Sequence, residues 1–229
     1  MGALSKGIDG LLALLKWPIA LVGLIFLPGL VYSLFFVVRA IAASPSRCYP
    51  FLFGAAGYAL FWFVFIRRRS TLGFLATLEH ELTHAIFAWA TFHRVVGLSA
   101  SLRGGGHIRY VGRGNWLIAV APYFFPTLSI LVILALTWAP GRNLVLGGAL
   151  LGVTVAYHAI STWSETHRHQ TDLREAGLLF CLLFLISANA LVYGLLLSYA
   201  GGLRSITAHL DHVHGPTRTF FRWLLSLVS

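Results

Sequence analysis

Apolar residues run along this chain in six long stretches, at about 17–41, 50–66, 72–92, 115–138, 143–163 and 177–199. Crossing a hydrocarbon core of roughly 30 Å takes about 17–25 such residues in a helix. The pattern predicts an all-α polytopic membrane protein of about six transmembrane helices, folded as a single integral membrane domain over residues 1–229. The first stretch holds Pro18 and Pro28, tolerable as kinks where neighbouring helices satisfy the freed carbonyls. The fourth holds Pro122 and Pro126, positions for a kink or for loosening of a helix. The first stretch is too long for a signal-peptide core and is read as retained.

Residues 94–113 break the pattern. From Val96 to Leu102, Val, Leu, Ala and Leu alternate with Gly97, Ser99 and Ser101, a period of two that predicts a strand. Gly104-Gly105-Gly106 supplies a turn, and His107 to Val111 return as a second strand. A β-hairpin between membrane helices belongs at the interface or in a protein-lined cavity, because a free sheet edge cannot face lipid. Beyond Gly201-Gly202, the segment 203–229 is mixed: His209, Asp211, His212 and His214 precede an amphipathic stretch with Phe220, Phe221, Trp223, Leu224 and Leu225. That stretch is expected to lie on the membrane surface, its histidines facing headgroups.

The composition agrees with lipid as the solvent: 58% hydrophobic residues, 10% charged residues and a mean hydropathy of +0.79. A net charge of +10 would ordinarily raise nucleic acid as a partner. Here the cations sit in short clusters between apolar runs, such as Arg67-Arg68-Arg69, so they read as loop charges that orient the chain and meet anionic headgroups. The lipid bilayer is thus the expected partner, and nucleic acid is not. Cys48 and Cys181 cannot build a disulfide framework.

One motif carries chemistry. His80-Glu81-Leu82-Thr83-His84 puts two imidazoles at i and i+4 on a helix, about 6 Å apart along its axis, so that both can ligate one Zn²⁺. Glu81 flanks that face, where it can take a proton from a water at the metal. Ionisable groups within a bilayer are costly and mark functional sites. Glu79 is a neighbouring group with either a supporting or a packing role.

A catalytic zinc takes three protein ligands. Phe87 and Ala90 stand where the extended metzincin motif needs Gly and His, and His93 lies off the face of His84, at the helix end. The remaining polar cluster runs from Trp163 to Leu173. If the motif helix crosses away from Arg67–Arg69 and two more helices return, this cluster emerges on the hairpin side. Asp172 is the first choice for third ligand, Glu165 the second, and His167 or His169 the third.

These residues resemble the site-2 protease family of intramembrane zinc metalloproteases, particularly its small forms. The resemblance rests on His80-Glu81-Leu82-Thr83-His84, the glycine-containing hairpin near Gly104–Gly106, and Asp172 before a later membrane helix. It implies zinc held by His80, His84 and Asp172, Glu81 as general base, a membrane protein as substrate, and a hairpin that receives the substrate as an added strand. The chain departs from the family where Leu173 follows Asp172 and where Ala121-Pro122-Tyr123-Phe124-Phe125-Pro126 replaces a Gly-Pro-x-x-Asn element. Its loops are too short for a PDZ-like insertion.

Two other readings stay open. A CAAX-type membrane zinc endopeptidase would use Glu165 as third ligand, and a non-catalytic metal-binding protein or transporter would use the histidines and carboxylates as a relay. Counted by expected side, nine Lys and Arg fall with the N-terminus and eight opposite, a tie that leaves orientation open. The expected location is a multi-pass position in the cell inner or plasma membrane.

Overall fold

The structure, a computed structural model, describes residues 2–66, 74–101, 105–138, 144–166, 170–201 and 206–227. Arg67–Arg69, Gly104, His167 and His169 lie outside the described residues. The elements run in the order α1 (Gly2–Ala43), α2 (Tyr49–Phe61, prolonged by a π-helical turn Trp62–Ile66), α3 (Phe74–Ala90), β1 (Val95–Ala100) and β2 (Gly106–Tyr110). They continue with α4 (Trp116–Val120), a 3-10 turn Ala121–Tyr123, α5 (Thr127–Trp138), α6 (Leu144–Glu165), α7 (Thr171–Ala176), α8 (Leu178–Ala200) and α9 (Ile206–Ser226). Leucines, phenylalanines and tryptophans such as Leu60, Phe53 and Trp163 point outward from this bundle. Such a surface suits lipid and no aqueous solvent.

Two parallel helix pairs build the bundle. Beside α8, α1 packs in the same direction: Trp17 meets Phe180 near one end, Gly23 meets Ser187, and Ile41 meets Gly201 at the other. Likewise α2 runs parallel to α6, with Pro50 against Gly148 and Tyr58 against Tyr157. Glycines let this second pair approach closely. A Cβ at Gly54 would collide with the Ala149 carbonyl, and one at Gly152 with the Phe51 carbonyl. Gly152→Leu is therefore expected to cost on the order of 1–3 kcal/mol of stability. Thermal unfolding in detergent would read this as a lowered midpoint, whereas Gly57→Ala, with open space around it, should leave the midpoint unchanged or raised.

The expected count of six crossings is not reached by the described helices. Among the described residues, four helices (α1, the α2 segment, α6 and α8) are long and apolar enough to cross a membrane, or five if a bent pair is one span. That pair is the expected 115–138 helix, which bends by 76° between Trp116–Tyr123 and Thr127–Trp138. Pro122 and Pro126 each remove a backbone donor there. Because α2 and α6 are parallel, Ile66 and Glu165 end at the same level, and Glu165 lines the cleft beside the hairpin. The described part of α3 is 17 residues long, and the hairpin that follows lies at the level of Glu165 and Ile66. The first helix also begins earlier than expected, and its start touches the hairpin end of α3. The N-terminus is thus on the cleft side, not opposite it.

The hairpin forms where the period-two pattern lies. β1 and β2 pair antiparallel, Leu98 opposite Ile108 and Ser99 opposite His107, with an irregularity between Val95 and Gly97. Both strands pack on α3. The first half of the C-terminal helix α9 runs antiparallel along α1, with His209 beside Ser33 and Val213 beside Gly29 and Leu30. Farther along, Phe220, Trp223, Leu224 and Leu225 stay exposed.

Candidate metal centre and active site

On α3, a helix whose alternating faces bury His80, Glu81, Thr83 and His84, the two motif histidines meet with ring centroids 4.8 Å apart. Each is anchored through Nδ1. His84 Nδ1 donates to the Ile118 carbonyl at 2.7 Å, and His80 Nδ1 lies 2.7 Å from Glu165 Oε2. A carbonyl can only accept, so His84 carries its proton on Nδ1 and leaves the Nε2 lone pair bare. A carboxylate imposes the same tautomer on His80. Such anchors are what ligating histidines need from their surroundings.

Both bare nitrogens face one carboxylate. Asp172 Oδ2 lies 3.6 Å from His80 Nε2 and 3.5 Å from His84 Nε2, too far for good hydrogen bonds. Ligand atoms at about 2.0–2.1 Å around a tetrahedral zinc are separated by about 3.4 Å. The spacing and the donor set, two imidazole nitrogens and one carboxylate oxygen within 4.8 Å of each other, fit a zinc ion. Asp172 arrives on α7, a short helix between the apolar runs expected at 143–163 and 177–199. Tyr123 donates its hydroxyl to the same Oδ2 at 3.2 Å, and its own carbonyl accepts from Asn189. Burial acts to raise the Asp172 carboxyl, but the facing imidazoles of His80 and His84 outweigh it and hold the group well below the usual carboxylate range.

Around this cluster lies a cleft of about 400 Å³. Its floor is α3, its ends are Glu165 and α7, and β2 forms a wall. Glu81 is buried beside the histidines, against the hairpin. The approach is so close that a Cβ at Gly106 would sit 2.6 Å from Glu81 Cγ and 2.8 Å from Thr77 Cγ2. Hence β2 starts with glycine where it meets the motif helix.

Two carboxylates of the segment from Trp163 to Leu173 are thus separated by the fold. Asp172 faces both Nε2 atoms, while Glu165 reaches only Nδ1 of His80. Glu79 turns the other way, its carboxylate near the hydroxyls of Thr83 and Tyr157, at 3.3 and 3.4 Å. His93 is fully buried and pairs with Asp9, 3.2 Å away. Nothing in the sequence linked these two residues, since 84 positions separate them. In the tail, His209 is buried with Nδ1 between the hydroxyls of Ser33 and Ser198, rather than facing headgroups. Asp211 and His214 are exposed, and the His212 ring stacks on Phe36. His209, Asp211, His212 and His214 are not among the residues that line the cleft.

Apolar helices around a buried set of imidazole and carboxylate groups define an integral membrane protein, and its sequence places it among the peptidases. The family model for Peptidase M50B-like proteins matches residues 51–193, from the start of α2 nearly to the end of α8. The chain belongs to that family, and so to the site-2 proteases. No curated protein and no solved structure matches it.

Proposed function

We propose that this membrane peptidase is an intramembrane zinc metalloprotease that hydrolyses peptide bonds in or near transmembrane segments of membrane proteins. One observation carries the reading: His80 Nε2, His84 Nε2 and Asp172 Oδ2 converge at ligand spacing while both Nδ1 atoms are held elsewhere. A zinc ion bound by these three residues would supply Lewis acidity to a water and to the scissile carbonyl. Glu81 Oε takes the proton of the attacking water and then delivers it to the leaving amine. Tyr123 holds Asp172, and Glu165 and Ile118 hold the histidines. A substrate helix must unwind first, because its carbonyls are tied in its own hydrogen bonds, and the extended segment adds to the hairpin edge beside the cleft.

Glu165 fits this scheme as the orienting partner of His80. A CAAX-type arrangement would need it on Nε2, and it stands on Nδ1. Most of the described cations support an orientation too: Lys6, Lys16, Arg94, Arg109, Arg113 and Arg174 lie on the cleft side, against Arg39 and Arg47 at the other end, while Arg218 and Arg222 are exposed along α9. By the positive-inside rule the N-terminus and cleft face the cytoplasm, in a cell inner or plasma membrane.

Zinc content per purified chain tests the ligand set. Wild type should hold about one zinc, lost in His80→Ala and Asp172→Ala, with Glu165→Ala retaining it at an affinity lowered about 10–100-fold. Zinc that survives Asp172→Ala but vanishes with Glu165→Ala would transfer the third ligand to Glu165, and a wild type without zinc would end the metalloprotease reading.

A further inference from the structure

The family match begins at residue 51, yet α1, which precedes it, touches the two elements that hold His84. Asn115 caps α4: its Oδ1 accepts the Ile118 N–H at 3.2 Å, while its Nδ2 donates to Asp9 Oδ1 at 2.8 Å. The other oxygen of Asp9 takes the buried His93, whose Nδ1 in turn lies 3.1 Å from Thr91 Oγ1. One carboxylate on α1 therefore engages both the end of α3, the helix that carries His84, and the cap of α4, the helix whose Ile118 carbonyl receives His84 Nδ1.

Two physical points give this arrangement a consequence. A five-residue helix such as α4 has too few internal hydrogen bonds to define its own position. In addition, the Asn115 amide caps α4 in only one of its two flips, and a carboxylate selects that flip because it can only accept. We propose that Asp9 is a positioning residue for the metal centre, holding α3 and α4 in the register that keeps His84 Nδ1 on the Ile118 carbonyl and Nε2 free for zinc. The proposal rests on the metalloprotease reading and deepens it: the N-terminal helix, outside the family match, completes the site.

The test uses Asp9→Ala in the purified full chain. It removes both accepting oxygens, so neither the Asn115 amide nor the His93 ring keeps the Asp9 carboxylate as its partner. Zinc affinity by chelator competition, the visible spectrum of the cobalt-substituted protein and helix content by circular dichroism are measured beside wild type, His84→Ala and Trp116→Phe. Trp116→Phe removes a different tie between α1 and α4, the 2.6 Å bond from Trp116 Nε1 to the Leu12 carbonyl, and leaves Asp9 and Asn115 alone. Asp9→Ala should weaken zinc binding about 10–100-fold and alter the cobalt spectrum at unchanged helix content, while Trp116→Phe stays near wild type. If Asp9→Ala does not fold, Asn115→Ser, which keeps a capping oxygen and loses the tie, should show the same weakening. Wild-type affinity and spectrum in the Asp9 variant, or equal weakening in Trp116→Phe, would overturn the proposal while His84→Ala still loses zinc. Zinc binding that ignores His84→Ala would instead overturn the metalloprotease reading beneath it.

Discussion

Glu81→Gln is expected to keep the bound zinc and to lose peptide cleavage by about 10²–10⁴-fold, or roughly 3–5 kcal/mol of transition-state stabilisation. Glutamine has nearly the same shape, so the packing of residue 81 against Gly106 survives. The three ligand residues are untouched. What disappears is a carboxylate able to accept a proton from water and return it to nitrogen. Zinc stoichiometry together with cleavage of a transmembrane peptide in detergent checks both halves of the expectation. A variant that turns over at the wild-type rate would show that Glu81 is not the base. A transporter or scaffold with a structural metal would also retain its activity, so the same experiment separates the enzyme from its non-catalytic alternatives.

The second large effect is expected at Gly106, outside the motif. Valine there would put a Cβ 2.6 Å from Glu81 Cγ and 2.8 Å from Glu81 Oε1. No pair of carbon atoms tolerates that distance, so either the hairpin lifts from α3 or the glutamate swings away. A displacement of about 1 Å at a reacting group costs on the order of 10²-fold in rate. Gly106→Val should therefore lower kcat about 100-fold with zinc retained, because the atoms nearest the added Cβ belong to Glu81 and Thr77 and not to His80, His84 or Asp172. Loss of zinc in parallel with activity would mean that the hairpin supports the whole cluster, and full activity would mean that it stands clear of Glu81.

Much of this organisation was legible in local patterns. The i and i+4 spacing of His80 and His84 needs only a helix to bring the imidazoles together, and α3 supplies it. Alternation from Val96 onward produced the hairpin, and Pro122 with Pro126 marked where the fourth apolar run breaks. Each is a property of a few adjacent residues, and backbone geometry translates it directly into structure.

Other features depend on how helices pack. The apolar run 72–92 reads as a span from hydropathy, and its described helix is 17 residues long. The close approach of α2 and α6 at Gly54 and Gly152 against facing carbonyls is something only the assembled pair reveals. That packing puts the end of α2 level with Glu165, and the contact of Asp9 with His93 puts the N-terminus on the cleft side. The charge tie dissolves for the same reason, since the sides had been assigned by counting crossings.

By itself, the sequence determined that this is a membrane protein, that two histidines and a glutamate share a helix, and that a hairpin follows them. These are matters of composition and short-range periodicity. Only the tertiary structure decided which carboxylate meets which nitrogen. The end of α6 delivers Glu165 to His80 Nδ1, the start of α7 delivers Asp172 to both Nε2 atoms, and α1 brings Asp9 under the cap of α4. Those pairings join residues tens of positions apart, and the relative placement of packed helices, rather than any local preference, sets their distances.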